Sequence, residues 1–159
     1  MNHENLLSKL SRSVFQADVY KWFKSYVTNR SQFLYFSNCM SNKNVLTCGV
    51  AQGSVLGPLL FFIYVNGFAV VSSYISPILF ADDTNLFLSH KHFKTLISEV
   101  NSGLLAYSKW FQLNKLSLNL KKSNYIIFAG KKKFDNAKVY IEGNEIQSLF
   151  HSLLGGNSR

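Results

Sequence analysis

The chain has 159 residues, 47% of them apolar, with fourteen Phe and eight Tyr. That is enough for one domain with a real core and too apolar for a disordered segment. Seventeen Lys and Arg against eight Asp and Glu give a formal charge of +9, so an anionic partner such as nucleic acid is expected. The two cysteines, Cys39 and Cys48, match no metal or redox spacing and read as reduced thiols of an intracellular protein, nuclear or cytoplasmic.

In chain order, a short helix is expected over residues 4–11 and a better one over 17–28, where Val19, Trp22, Phe23, Tyr26 and Val27 recur at helical spacing. "SQFLYF" reads as a strand, Asn42-Lys43-Asn44 as a turn and "VLTCGV" as a second strand. Gly49, Gly53 and Gly57 then precede a large apolar run in which Pro58 suits the first turn of a helix ending near Asn66-Gly67. Glycine at every fourth position beside an apolar run also describes a membrane-helix motif. Pro58, Asn66 and Gly67 interrupt it, and no membrane span is expected.

"SPILF" and "TNLFLS" read as strands on either side of Ala81-Asp82-Asp83, at the tip of a hairpin. Residues 93–111 carry the clearest helical period: Phe93, Leu96, Ile97, Val100, Leu104, Tyr107 and Phe111. Within it, Gly103 costs about 1 kcal/mol relative to Ala. "SNYIIFAG" reads as a strand, Lys131-Lys132-Lys133 as a basic turn, and "KVYIEGNEIQSL" as a hairpin around Gly143-Asn144. Strands and helices mix without βαβ alternation, which favours α+β. Trp22 and Trp110 are expected in the core, and His90 and His92 at a solvated turn. Lys121, Lys122 and Lys138, with the Lys131–Lys133 run, read either as solvated positions or as a phosphate-binding surface.

Asp82 and Asp83 carry the chemistry. Adjacent carboxylates repel, and apolar flanks make both harder to ionise. The pair is either a solvated turn or a divalent-cation site, since Mg²⁺ takes carboxylate oxygens together with substrate phosphates. Phosphoryl-transfer enzymes use two such ions about 3.5–4 Å apart.

"FADD" between apolar strands resembles the aspartate motif of reverse transcriptases. "CGVAQGSVLGPLLFFIYVNGF" (Cys48 to Phe68) resembles the long motif that non-LTR retrotransposon polymerases carry before that hairpin, and "WFQLNKLSLNLKKSNYIIF" (Trp110 to Phe128) the segment after it. "NHENLLSKL" and "WFKSYVTNR" are similar to connecting helices of jockey-like elements. The resemblance implies a partial reverse transcriptase domain over residues 1–159: a palm subdomain, one antiparallel sheet with helices packed on one face, without fingers or thumb. It implies catalytic and metal-binding roles for Asp82 and Asp83, Lys122 beside the leaving pyrophosphate, and Gln52, Gly53 and Ser54 against nucleotide and template, with Asn119 bracing its segment. The implied cofactor is Mg²⁺ or Mn²⁺. The implied partners are an RNA template, a DNA primer and deoxynucleotide triphosphates, with no obligate protein partner.

Some family features are not matched. The first catalytic aspartate of the family would fall just before Met1, Ala51 stands for a proline, Gly67 for an aspartate, and Leu154-Gly155 lacks the aromatic of a primer-grip turn. The expectation is an RNA-directed DNA polymerase fragment with loosely held metals and exposed sheet edges, inactive alone. The alternative is a non-catalytic, basic nucleic-acid-binding remnant.

Overall fold

The computed structural model describes residues 1–12, 17–80, 83–128 and 137–149. Lys131–Lys133 and Leu154-Gly155 lie outside these residues. The chain divides into two compact units: Met1–Gly67 with Asn114–Leu116, and Phe68–Leu113 with the described residues from Ser117 on.

Three helices build the first unit: α1 (His3–Arg12), α2 (Ala17–Val27) and α3 (Leu56–Val65). The Asn2 side chain caps α1 by accepting the Asn5 N–H at 3.1 Å. Lys9 and Arg12 occupy its last turn, where the helix dipole favours cations. Each helix gives the core one pair four residues apart: Leu6 and Leu10, Phe23 and Val27, Leu60 and Tyr64. Trp22, expected in that core, is 54% exposed and stacks on Tyr26 at 5.7 Å. The buried arc of α2 is centred between Phe23 and Val27, and at 3.6 residues per turn Trp22 lies about 120° round from it. Pro58 sits in the first turn of α3, as expected, and Gly67, at φ +93°, follows its end in a conformation suited to glycine.

Residues 30–46 form a two-stranded antiparallel ribbon made of β1 (Ser31–Gln32), β2 (Tyr35–Phe36), β3 (Cys39–Met40) and β4 (Asn44–Val45). Ser31 pairs with Val45 and Gln32 with Asn44, whereas Tyr35 pairs with Met40 and Phe36 with Cys39. The register slips by one between these ladders, so the returning strand holds one extra residue opposite Phe33, a β-bulge. This corrects three expectations. The turn is at Ser37-Asn38, both at positive φ (48° and 63°), as a two-residue hairpin requires. Asn42-Lys43-Asn44 belongs to the bulged strand. The expected strands over 31–36 and 45–50 are broken into shorter pieces.

In the second unit, β5 (Ser76–Phe80) and β6 (Asp83–Phe87) form a hairpin, and α4 (Phe93–Leu113) is its long helix. α4 serves two apolar clusters. Tyr107, with Trp110 and Phe111, packs around Phe68 and Ile75 and meets Leu79, Leu86 and Leu88 of the hairpin region. Ile97, Val100 and Leu104 pack on Val139, Ile141 and Ile146. The latter belong to or flank β8 (Tyr140–Ile141) and β9 (Asn144–Glu145), which turn at Glu142-Gly143, one residue before the expected position.

The mixture of elements is α+β, as expected. The single antiparallel sheet is not observed: the strands among the described residues pair as five separate two-stranded sheets. One is parallel, β7 (Asn124–Tyr125) with β10 (Gln147–Ser148). Parallel neighbours need a connection of a dozen or more residues, which the segment carrying β8 and β9 supplies. Only Asn124 and Tyr125 of the expected "SNYIIFAG" strand are in a ladder, and Ala129 and Gly130 lie outside the described residues.

Candidate functional site

The expected site residues fall in both units. In the first, Gln52-Gly53-Ser54 form a tight turn. The Ser54 N–H donates to the Ala51 carbonyl at 3.2 Å, and Gly53 has φ +78°, the position of a type II turn that needs glycine. The Ser54 hydroxyl then accepts the Gly57 N–H at 3.1 Å, satisfying a donor at the entrance to α3. Gln52 and Gly53 are exposed and Ser54 half-buried. The chain leading into the turn is tied to α1. His3 Nε2–H donates to the Gly49 carbonyl at 2.7 Å, and the Gly49 N–H donates to the Met1 carbonyl at 2.7 Å.

Tyr64, fully buried, anchors the unit from α3. Its hydroxyl accepts the Asn2 N–H at 3.1 Å and donates to the Asn114 carbonyl. The Lys9 ammonium donates to the Tyr64 carbonyl and stands 5.1 Å from the ring centre. Burial lowers the Lys9 pKa from its ordinary 10.5. Sequence reasoning singled out neither His3 nor Tyr64, whose hydrogen bonds tie together distant parts of this unit. The signal for His3 was present in the "NHE" resemblance, whereas Tyr64 is one large residue in an unbroken apolar run.

In the second unit, Phe80 pairs with Asp83, Leu79 with Thr84, Ile78 with Asn85 and Pro77 with Leu86. Ala81 and Asp82, between the paired ends, lie outside the described residues. Directly opposed residues share a face. One face holds Pro77, Leu79, Thr84 and Leu86, of which the leucines pack toward Tyr107 and Trp110. The other holds Ile78, Phe80, Asp83, Asn85 and Phe87, and it is open: Phe80 is 78% exposed. Asp83 therefore begins β6 on the solvent face, at the end of a hairpin fixed from behind by apolar packing.

Asn119 precedes a short 3₁₀ turn, Leu120–Lys122. Its carbonyl accepts the Lys122 N–H and the Ser123 hydroxyl, both at 3.0 Å. The Asn119 side chain makes no cap hydrogen bond to this turn, and the Lys122 side chain is exposed. The ion pairs among the described residues are Lys21–Asp18, Lys115–Glu4 and Lys138–Glu145, all on the surface. None joins Asp83 to Lys122. No group of three His, Cys, Asp or Glu among the described residues could hold a metal ion. His90 and His92 follow the turn reading, with the Nδ1 of His90 accepting the His92 N–H at 2.9 Å. Among the described residues no helix is long and apolar enough to cross a membrane.

A glycine-dependent turn before an apolar helix, followed by a hairpin beginning its second strand with Asp83, is the order of motifs read from the sequence. The family model described as "Reverse transcriptase (RNA-dependent DNA polymerase)" matches residues 1–147. The chain belongs to the reverse transcriptase family. Its relatives are polymerases of mobile elements from Drosophila melanogaster. It is 29% identical over 144 residues to a probable RNA-directed DNA polymerase from transposon X-element, covering 88% of the chain and 16% of that protein. It is 26% identical over 136 residues to the RNA-directed DNA polymerase from mobile element jockey, covering 81% of the chain and 15% of that protein. A 72-residue stretch is 36% identical to the probable polymerase from transposon BS, 45% of the chain and 8% of that protein. This reverse transcriptase chain thus spans about a sixth of the X-element and jockey polymerases. No solved structure matches it.

Proposed function

We propose that the chain is the palm portion of an RNA-directed DNA polymerase of a jockey-like non-LTR element, acting on an RNA template, a DNA primer and deoxynucleotide triphosphates. The observation that carries this reading is the β5–β6 register, which pairs Phe80 with Asp83 and leaves the Asp83 carboxylate on the open face of a hairpin backed by leucines.

Carboxylate oxygens fit Mg²⁺ or Mn²⁺ in kind. Asp83 is exposed and Asp82 is its chain neighbour, so these two residues would hold the ion. A bound ion there supplies charge neutralisation for nucleotidyl transfer to a triphosphate. The Gln52-Gly53-Ser54 turn would line the nucleotide and template, the exposed Lys122 would offset charge on the leaving pyrophosphate, and Asn119 would hold the Lys122 turn.

Two carboxylates are few ligands for two metals, and poorly held ions give poorly defined in-line geometry. The 159-residue chain alone is therefore expected to be catalytically silent, as in the non-catalytic reading. The discriminating experiment uses Mn²⁺ as a paramagnetic probe. With deoxynucleotide triphosphate present, amide signals of residues 83–85 broaden, and Asp82→Asn with Asp83→Asn removes the effect. Broadening that ignores both substitutions would refute the metal assignment. Primer extension by the purified chain that Asp83→Asn abolishes would refute the silence of the isolated chain.

A further inference from the structure

The ribbon of residues 30–46 takes no part in the aspartate hairpin or in the Gln-Gly-Ser turn, yet it is the most unusual surface in its unit. Residues 29–45 are all exposed. They include Phe33, Tyr35 and Phe36, at 50%, 65% and 73% exposure. Aromatic side chains on a monomer's surface in such density mark an interaction site.

Along the chain the charge on either side of them is almost all of one sign. From residue 19 to residue 81 the sequence contains no Asp or Glu, and its cations are Lys21, Lys24, Arg30 and Lys43. Arg30 stands 5.0 Å from the centre of the Tyr26 ring and Lys43 stands 5.9 Å from that of Phe33. Immediately before the ribbon, α2 offers an open depression of about 340 Å³ lined by Lys21, Lys24, Ser25, Thr28 and Asn29. Lys21, Lys24, Ser25 and Asn29 carry donors suited to phosphate oxygens, whereas the Thr28 hydroxyl donates to the Lys24 carbonyl at 2.7 Å. Asp18 is the one acid here, and its ion pair with Lys21 at 3.0 Å is fully on the surface, where such pairs are weak.

We propose that the depression on α2 and the aromatic ribbon that follows it in the chain bind single-stranded nucleic acid, with phosphates on the cations and bases stacked on Phe33, Tyr35 and Phe36. Single strands are held by this combination of a cationic track and aromatic platforms. The ribbon pairing puts Tyr35 and Met40 on one face and Phe36 and Cys39 on the other, so unstacked bases have a platform on each side. An occupant of the same apolar ribbon that is protein, such as a second copy adding strands to its free edges, would need no cations. The four cations along this stretch, against the one exposed acid Asp18, favour the nucleic acid. The inference goes beyond the polymerase reading and does not depend on it.

The test is fluorescence anisotropy of the full chain with labelled 20-nucleotide oligouridylate and oligothymidylate, with a duplex of equal length as control. Phe33→Leu, Tyr35→Leu and Phe36→Leu together keep apolar area and remove the π faces. This variant is expected to bind either single strand at least about tenfold more weakly. Replacing Lys21, Lys24, Arg30 and Lys43 by Gln is expected to flatten the dependence of log K on log salt by about 0.7 for each phosphate no longer neutralised. Equal affinity for the two strands assigns the binding to phosphates and base faces, and stronger binding of oligouridylate adds the 2′-hydroxyl. Asp82→Asn with Asp83→Asn leaves the effect of the Leu variant intact, which separates this surface from the metal site. The proposal is overturned if the Leu variant binds as the wild type does, or if the duplex binds more tightly than both strands. It is equally overturned if sedimentation shows a dimer that Ala in place of the three aromatics dissociates without altering oligonucleotide affinity.

Discussion

Gly103→Ala measures how closely α4 meets the segment before β5, and its sign opposes simple helix propensity. In the middle of a helix, Ala is favoured over Gly by about 1 kcal/mol. At Gly103, however, a Cβ would stand 2.1 Å from Ile75 Cδ1, 3.2 Å from Ile75 Cγ1 and 3.4 Å from Tyr74 Cε2. The Cδ1 methyl can rotate, but Cγ1 is one bond from the stiff β-branched centre, and Ile75 is 5% exposed beside Phe68 and Tyr107. Overpacking of this kind costs about 1–3 kcal/mol. Subtracting the propensity gain leaves a net loss of about 1 kcal/mol, or a fall in Tm of roughly 2–4 °C for a chain of this size. Urea denaturation of four proteins checks the account: wild type, Gly103→Ala, Ile75→Val and the double variant. Ile75→Val alone loses about 0.5–1.5 kcal/mol and removes Cδ1. In that background Gly103→Ala should be neutral or stabilise by up to about 1 kcal/mol. Equal effects of Gly103→Ala in both backgrounds would refute the steric argument.

The same deletion of a hydroxyl should have opposite signs at two buried tyrosines. Tyr64→Phe removes the partner of the Asn2 N–H and the Asn114 carbonyl and is expected to cost about 1–3 kcal/mol. Tyr107→Phe removes a buried hydroxyl with no hydrogen-bond partner among the described residues and is expected to be neutral or to stabilise by about 1 kcal/mol, so urea midpoints that move together would refute the assignment. Burial also raises the Tyr107 pKa from its ordinary 10.0. The unfolded chain therefore ionises first, and wild-type stability should fall above about pH 10 more steeply than that of Tyr107→Phe. Lys9, its pKa lowered by burial, titrates in the opposite sense. Below its folded pKa both states are charged and the burial cost is complete. As pH rises through that value toward 10.5, the unfolded chain binds more protons and the fold gains stability. Wild type should thus gain on Lys9→Met as pH rises toward 10.5, and a constant difference in urea midpoint would contradict this.

Local patterns were legible in the sequence where one stretch contains its own answer. α2 and α4 declare themselves by apolar spacing, α3 by Pro58 and Gly67, and the β5–β6 hairpin by apolar runs around Asp82-Asp83. The ribbon misled because two polar clusters competed for one turn. Asn42-Lys43-Asn44 has the richer turn composition, but Ser37-Asn38 gives the two-residue loop that pairs Phe36 with Cys39, and the Asn-rich cluster is absorbed by a bulge. The parallel pairing of β7 with β10 joins Asn124 to Gln147, a pairing that no local period encodes. The inward face of α3 was hidden for a related reason. A helix apolar on every side has no period from which to choose a face, and the choice is made by polar atoms far along the chain, at Asn2 and Asn114, which bond to Tyr64. The candidate site divides in the same way. That a hairpin turns beside a carboxylate follows from nine consecutive residues, Leu79 to Phe87, but Asp83, expected at the tip, is instead the first residue of β6, paired with Phe80. That the Asp83 carboxylate shares the open face with Phe80 follows from the pairing of Phe80 with Asp83, because a slip of one residue would turn it toward the leucines instead. Register, rather than composition, therefore decides which face the Asp83 carboxylate takes, and the packing of Leu79 and Leu86 on the far side holds that register.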